Sequence, residues 1–131
     1  MKEIIRLLII DDDEDDRQLF IESALEVDQN IICTSAGDGE KALQILGNSN
    51  PLPDYIFLDL RMPRLSGRKT FEEIKKDTRL SHIPIIIYTT SRELDDSDEL
   101  KKMGAAHFVS KPVNPEEIYY LISSVIEERW N

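Results

Sequence analysis

The run Tyr55 Ile56 Phe57 Leu58 Asp59 Leu60 Arg61 Met62 Pro63 is hydrophobic at every position up to Leu58 and then ends on a carboxylate. A strand with apolar side chains at both parities must be covered on both faces, as in a parallel sheet, and Pro63 prevents ladder hydrogen bonding just beyond it. Asp59 therefore stands at the carboxyl end of a central strand. A lone acid in such a place is commonly a turn former. Three other strand-like runs, however, end in the same way: Ile9 Ile10 before Asp11 Asp12, Ile86 Ile87 Tyr88 before Thr89, and Phe108 Val109 Ser110 before Lys111. Four strands converge on one pocket.

The rest of the chain alternates strand and helix. Residues 4 to 10 read as a buried strand, and the acidic run Asp11 to Asp16 feeds a helix with Leu19, Phe20, Ile21, Ala24 and Leu25 as its inward stripe. Acids near a helix start suit its dipole, which is the reading for Asp13, Glu14, Asp15 and Asp16. Asn30 to Ser35 is a second strand containing Cys33 as a small buried hydrophobe, Gly37 Asp38 Gly39 a turn, and Glu40 to Leu46 a short helix. A helix near residues 67 to 77 turns Phe71 and Ile74 inward, and Ile85 to Tyr88 is the fourth strand. The helix near 93 to 103 is mostly charged, with Leu94, Leu100 and Met103 as sparse anchors, so it should be the least firmly packed. Residues 107 to 110 form a fifth strand. The last helix begins at Asn114 Pro115, an N-cap followed by Pro at the first helical position, and buries Ile118, Leu121, Ile122, Val125 and Ile126. Five strands alternating with five helices predict an α/β fold with a doubly wound parallel sheet.

At 131 residues the chain has room for one core and no second folded module, so residues 1–131 are expected to be a single domain without an output domain. A net charge of -10 without a Lys/Arg stripe argues against a nucleic-acid surface. The single cysteine leaves no internal disulfide framework, and no run has the form of a signal peptide or a membrane span. The cytoplasm is the expected compartment. His82 and His107 lack metal-ligand spacing to a second donor and read as surface or loop residues.

In a parallel sheet with right-handed crossovers all strand carboxyl ends lie at one edge, and ligands bind where the strand order reverses. Asp11, Asp12, Asp59, Thr89 and Lys111 share that edge. Carboxylates packed together repel one another unless a hard divalent cation or an ammonium neutralises them, and magnesium fits best because it takes oxygen ligands and keeps waters. A carboxylate in such a site can attack phosphorus to give an aspartyl phosphate, with Lys111 and the metal spreading the transferred charge and Thr89 donating a hydroxyl.

With the pair Asp11 Asp12, the run Leu58 Asp59 Leu60 Arg61 Met62 Pro63 with Gly67, then Thr89, and Phe108 before Lys111 Pro112, the chain resembles a receiver domain of two-component response regulators over essentially its whole length. The resemblance implies the flavodoxin-like strand order 2-1-3-4-5, with five helices on both faces. It implies Asp59 as phosphate acceptor, magnesium held by Asp12, Asp59 and the main-chain carbonyl of Arg61 with Asp11 acting largely through water, and Lys111 and Thr89 holding the phosphoryl group. It further implies a cis Lys111–Pro112 bond, and a switch in which Thr89 moves toward the phosphoryl group and Phe108 enters the vacated space. The implied partners are a histidine kinase or a histidine phosphotransfer protein, and a downstream protein target. The face bearing the helix near 93 to 103, the fifth strand and the last helix would then change its contacts, including those of a homodimer. Tyr119, Tyr120 and Trp130 are candidate anchors there, with partial packing against neighbours as the plainer reading.

The chain departs from the family at Phe108, where Tyr is frequent, and at Thr90, where a smaller residue is common; Arg61 and Ser91 stand at positions that tune phosphate lifetime. Two other functions compete. A haloacid-dehalogenase-like phosphohydrolase also forms an aspartyl phosphate with magnesium, but it usually has an acid two residues after the nucleophile, where this chain has Arg61. A phosphorylation-independent interaction module would not need all five site residues. The leading reading is a phosphoacceptor signalling domain rather than an enzyme.

Overall fold

The computed structural model describes residues 4–62, 66–89, 101–102, 104–112 and 114–128. Five strands, β1 (Ile5–Ile10), β2 (Ile31–Ala36), β3 (Tyr55–Leu58), β4 (Ile85–Thr89) and β5 (His107–Ser110), make one sheet in the order β2-β1-β3-β4-β5. Every pairing is parallel. All residues of β3 and β4 are buried, which is why their sequences are apolar at both parities. The chain moves outward from β1 to β2, then crosses back to β3, so the strand order reverses between β1 and β3. A crevice opens at that point, beyond the carboxyl ends of the two strands.

Four described helices, α1 (Glu14–Val27), α2 (Gly39–Asn48), α3 (Gly67–Lys76) and α4 (Pro115–Glu128), cover the two faces. Leu7, Ile9, Phe57, Ile86 and Tyr88 point to one side, where Phe20 and Ala24 of α1 and Ile118, Ile122 and Val125 of α4 pack on them. Leu8, Ile10, Ile56, Leu58, Ile85 and Ile87 point to the other, against Ala42 and Leu46 of α2 and Phe71 and Ile74 of α3. The alternation of side chains along each strand thus feeds two cores separated by one sheet. Each helix start is capped as its residues dictate. Asp13 accepts from Asp16 N, Asp38 from Lys41 N, Ser66 from Lys69 N and Asn114 from Glu116 N, each such cap stabilising by about 1 kcal/mol. At the other end of α2, Arg79 donates to the carbonyls of Leu46 and Ser49.

Several expectations are corrected or refined. Leu25, expected on the inward stripe of α1, is 49% exposed, because that helix buries a face centred on Phe20, Ser23 and Ala24 and leaves Leu25 on the flank. Cys33 is half-buried on the edge strand β2, and that strand runs from Ile31 to Ala36, one residue later than the sequence pattern suggested. The cis peptide among the described residues is Asn50–Pro51, not Lys111–Pro112; the latter keeps the isomer that X–Pro bonds intrinsically favour. The helix expected near 93 to 103 lies outside the described residues except for Lys101 and Lys102, which are helical. Leu94, Leu100, Met103, Thr90, Ser91 and Trp130 lie outside them too.

Candidate functional site

Asp59 follows the last residue of β3, and its N–H still donates to the Ile10 carbonyl of β1 at 2.9 Å. That bond fixes the backbone, so the side chain projects from the strand end into the crevice. The residue is 3% exposed, and both of its carboxylate oxygens accept hydrogen bonds. Oδ1 accepts from the Thr89 hydroxyl at 2.7 Å and the Arg61 N–H at 3.0 Å, and Oδ2 accepts from Lys111 Nζ at 2.8 Å. Lys111 is delivered by β5, whose register continues past Ser110 through a bond from Lys111 N to the Thr89 carbonyl at 2.7 Å.

Asp11 reaches the same point from β1. It is fully buried, and its Oδ1 accepts from Asp13 N at 3.0 Å. The guanidinium of Arg17 holds its main-chain carbonyl at 2.8 Å and lies against Gly37, where a Cβ would come within 3.2 Å of Nη1. Asp11 Oδ2 lies 2.7 Å from Lys111 Nζ, yet no donor meets it with hydrogen-bond geometry. Burial pushes the Asp11 carboxyl up to about 6, against the downward pull of Lys111 and the Asp13 N–H, while the Asp59 charge adds to the rise. For Lys111 burial works the other way, but the carboxylates of Asp11 and Asp59 outweigh it and hold the ammonium above its ordinary range. Beneath the lysine, Nζ lies 6.0 Å from the ring centre of Tyr88, one of three mutually packed aromatics with Phe20 and Phe57.

Asp12 is exposed beside this pair, and one carboxylate oxygen each of Asp11, Asp12 and Asp59 lie within 4.8 Å of one another. This donor set fits a hard dication. All the ligand atoms are oxygens, and the buried Asp11 Oδ2 has an acceptor position that no hydrogen bond fills.

The five residues expected to meet are therefore together, and Arg61, expected to contribute its main-chain carbonyl to a metal, here contributes its N–H to Asp59 Oδ1. Thr89 is fully buried and donates to Asp59 at rest. One assignment differs from the sequence reading. Asp16, assigned from sequence to the helix dipole alone, places Oδ2 3.1 Å from Lys111 Nζ. Asp13 does the capping and leaves the Asp16 carboxylate for this contact. The only sequence signal for it was the surplus of acids over what one helix cap requires. Phe108 is half-buried against the α2/α3-side core, and His82 and His107 are exposed, as expected.

A doubly wound parallel sheet with clustered carboxylates and one lysine at its switch point defines a flavodoxin-like α/β protein. The chain belongs to the response regulator receiver domain family, whose model matches residues 7–123. It is 34% identical over 128 residues to histidine kinase P4 of Formosa agariphila, covering 98% of this chain and 9% of the kinase. It is 31% identical over 120 residues to the two-component response regulator ORR5 of Oryza sativa subsp. japonica, covering 92% of this chain and 87% of that protein. It thus spans less than half of some curated relatives and most of others. Among solved structures, the phosphorylated cyanobacterial phytochrome response regulator RcpA superposes with a TM-score of 0.85 at 26% identity, covering 98% of this chain and 94% of that one. Receiver domains bind magnesium at an acidic cluster of this kind, and the potential site here is Asp11, Asp12 and Asp59. The position two after Asp59, where a haloacid-dehalogenase-like phosphohydrolase usually carries an acid, is Arg61, whose main-chain N–H donates to Asp59 Oδ1. Among the described residues no helix is long and apolar enough to cross a membrane.

Proposed function

We propose that Asp59 accepts a phosphoryl group from a phosphorylated histidine of a kinase or phosphotransfer protein. A carboxylate oxygen of Asp59 forms the new O–P bond while the donor P–N bond breaks, and the imidazole leaves with the electron pair and takes up a proton. The observation that carries this reading is the double engagement of one carboxylate by Lys111 at 2.8 Å and Thr89 at 2.7 Å. Both donors stand where negative charge accumulates on the transferred group, so each can pass from an Asp59 oxygen to a phosphoryl oxygen with little reorganisation. Asp12, Asp59 and the main-chain carbonyl of Arg61 would hold magnesium directly, with Asp11 acting largely through water. When bound, the ion supplies charge neutralisation for the phosphoryl oxygens.

The buried side of the site restricts water, which favours storage of the group over turnover of external substrates. The 131 residues serve as one receiver unit acting through protein contacts. As the Thr89 hydroxyl shifts to the phosphoryl group, the half-buried ring of Phe108 gains room to turn inward, which alters the face made by β5 and α4. Tyr120 on that face is 68% exposed and packs edge-on against Tyr119 at 5.3 Å, a suitable anchor for a target or a second copy. The cytoplasm, where ATP charges such donors, is the compartment this reading requires.

The test is intact mass after incubation with acetyl phosphate and magnesium. The wild-type chain should gain one phosphoryl group and Asp59→Asn none; no adduct on the wild type overturns the reading.

A further inference from the structure

The ammonium of Lys111 has three N–H groups, and three carboxylates already surround it. Oδ2 of Asp11, Asp59 and Asp16 lie 2.7, 2.8 and 3.1 Å from Nζ. Nζ donates to Asp59 and Asp16, and Asp11 Oδ2 closes its third side without a hydrogen bond, so an incoming phosphoryl oxygen competes with these carboxylates for the ammonium. The three are not equal in what they lose. The Asp11 and Asp59 side chains are 0% and 4% exposed, whereas that of Asp16 is 42% exposed and can exchange the lysine for water. An uncompensated buried carboxylate costs far more than a rehydrated one.

We infer that Asp16 is a positioning residue for Lys111, an exchangeable third partner that occupies one side of the ammonium at rest and yields it to the incoming phosphoryl oxygen. The inference rests on phosphoryl acceptance at Asp59. The geometry suits the role. Asp16 sits in the first turn of α1, where its own N–H is tied to the Asp13 side chain at 3.0 Å, so its backbone is fixed while its carboxylate is free to leave. It crosses 95 positions of sequence to reach Lys111, and it approaches from the exposed side of the site. The contact resists phosphorylation, because it competes with the phosphoryl oxygen for the ammonium.

The test compares phosphorylation rates of the full chain with acetyl phosphate at saturating magnesium, and its affinity for beryllofluoride as a phosphoryl analogue. Asp16→Asn should accelerate phosphorylation and tighten beryllofluoride binding by about three- to fivefold, the size of an exposed ion pair. Asp15→Asn makes the same charge change on the same exposed turn without meeting Lys111, and should stay near wild type. Asp16→Glu, which keeps a carboxylate within reach, should restore the slower rate. A rate for Asp16→Asn at or below wild type, or an equal acceleration in Asp15→Asn, overturns the inference while leaving Asp59 as acceptor. Absence of any adduct on the wild-type chain overturns both.

Discussion

Gly67, the first residue of α3, packs so closely beneath Asp59 that a Cβ there would overlap the Asp59 carbonyl oxygen and Leu60 Cα, and would stand 2.8 Å from the Leu60 carbonyl carbon. Its N–H donates to the Leu60 carbonyl at 3.1 Å, locking the helix start to the backbone of the acceptor loop. Backbone atoms cannot swing aside as a side chain could. Gly67→Ala should therefore lower stability by about 2 kcal/mol or more, read as a fall in the urea midpoint, and should slow phosphorylation even in the folded fraction. An alanine variant with wild-type midpoint and rate would refute the close approach.

Lys111 is the principal counter-charge to two buried acids. Lys111→Ala leaves Asp11 and Asp59 facing each other without an ammonium, a loss of about 3 kcal/mol or more. The urea midpoint should drop sharply in chelator and recover in part when magnesium is added. Equal losses with and without magnesium would mean that no cation reaches these carboxylates.

Magnesium should stabilise the wild-type chain by mass action, by about 2.7 kcal/mol at a hundred times its dissociation constant. Asp12 is exposed and among the described residues makes no hydrogen bond or ion pair that its replacement would break, so Asp12→Asn should fold normally and lose most of this gain. Thermal melts at stepped magnesium concentrations distinguish the two. Calcium, which prefers more ligands and longer bonds, should serve less well.

Burial pushes the Cys33 thiol from an ordinary 9.0 up to about 12. Because the folded value is the higher one, the contribution to stability is fully present below pH 9 and is lost as pH rises toward 12. Thiolate absorbance should therefore appear only at strongly alkaline pH in the folded chain, and near pH 9 in urea. Alkylation at pH 8 should be slow until the chain unfolds. A titration midpoint near 9 in the native protein would contradict the environment described for β2.

Much of this was legible in the sequence because the informative residues obey short-range rules. Apolar runs at both parities specified β3 and β4 as interior strands, and the stripe from Ile118 to Val125 specified the buried face of α4. The meeting of Asp11, Asp59, Thr89 and Lys111 could be anticipated because a parallel sheet sends every carboxyl end to one edge. What sequence could not supply depends on orientation. Leu25 fits the helical spacing of an inward residue, but the rotation of α1 on the sheet is set by Phe20 and Ala24, and a modest turn carries Leu25 into solvent. Asp16 looks interchangeable with Asp15 and Glu14 in a row of acids; only the docked position of α1 against β1, β2 and α4, which brings its first turn to Lys111, distinguishes it.

The four groups around the acceptor come from strand ends that are neighbours in space and far apart along the chain, with 52 positions between Asp59 and Lys111 alone. During synthesis the pocket cannot exist in part: until residue 111 has left the ribosome and β5 has docked, the early acids face one another with no cation of the protein's own. Competence to hold a phosphoryl group thus arrives only with the last strand, and a truncated or half-folded chain is silent to its donor.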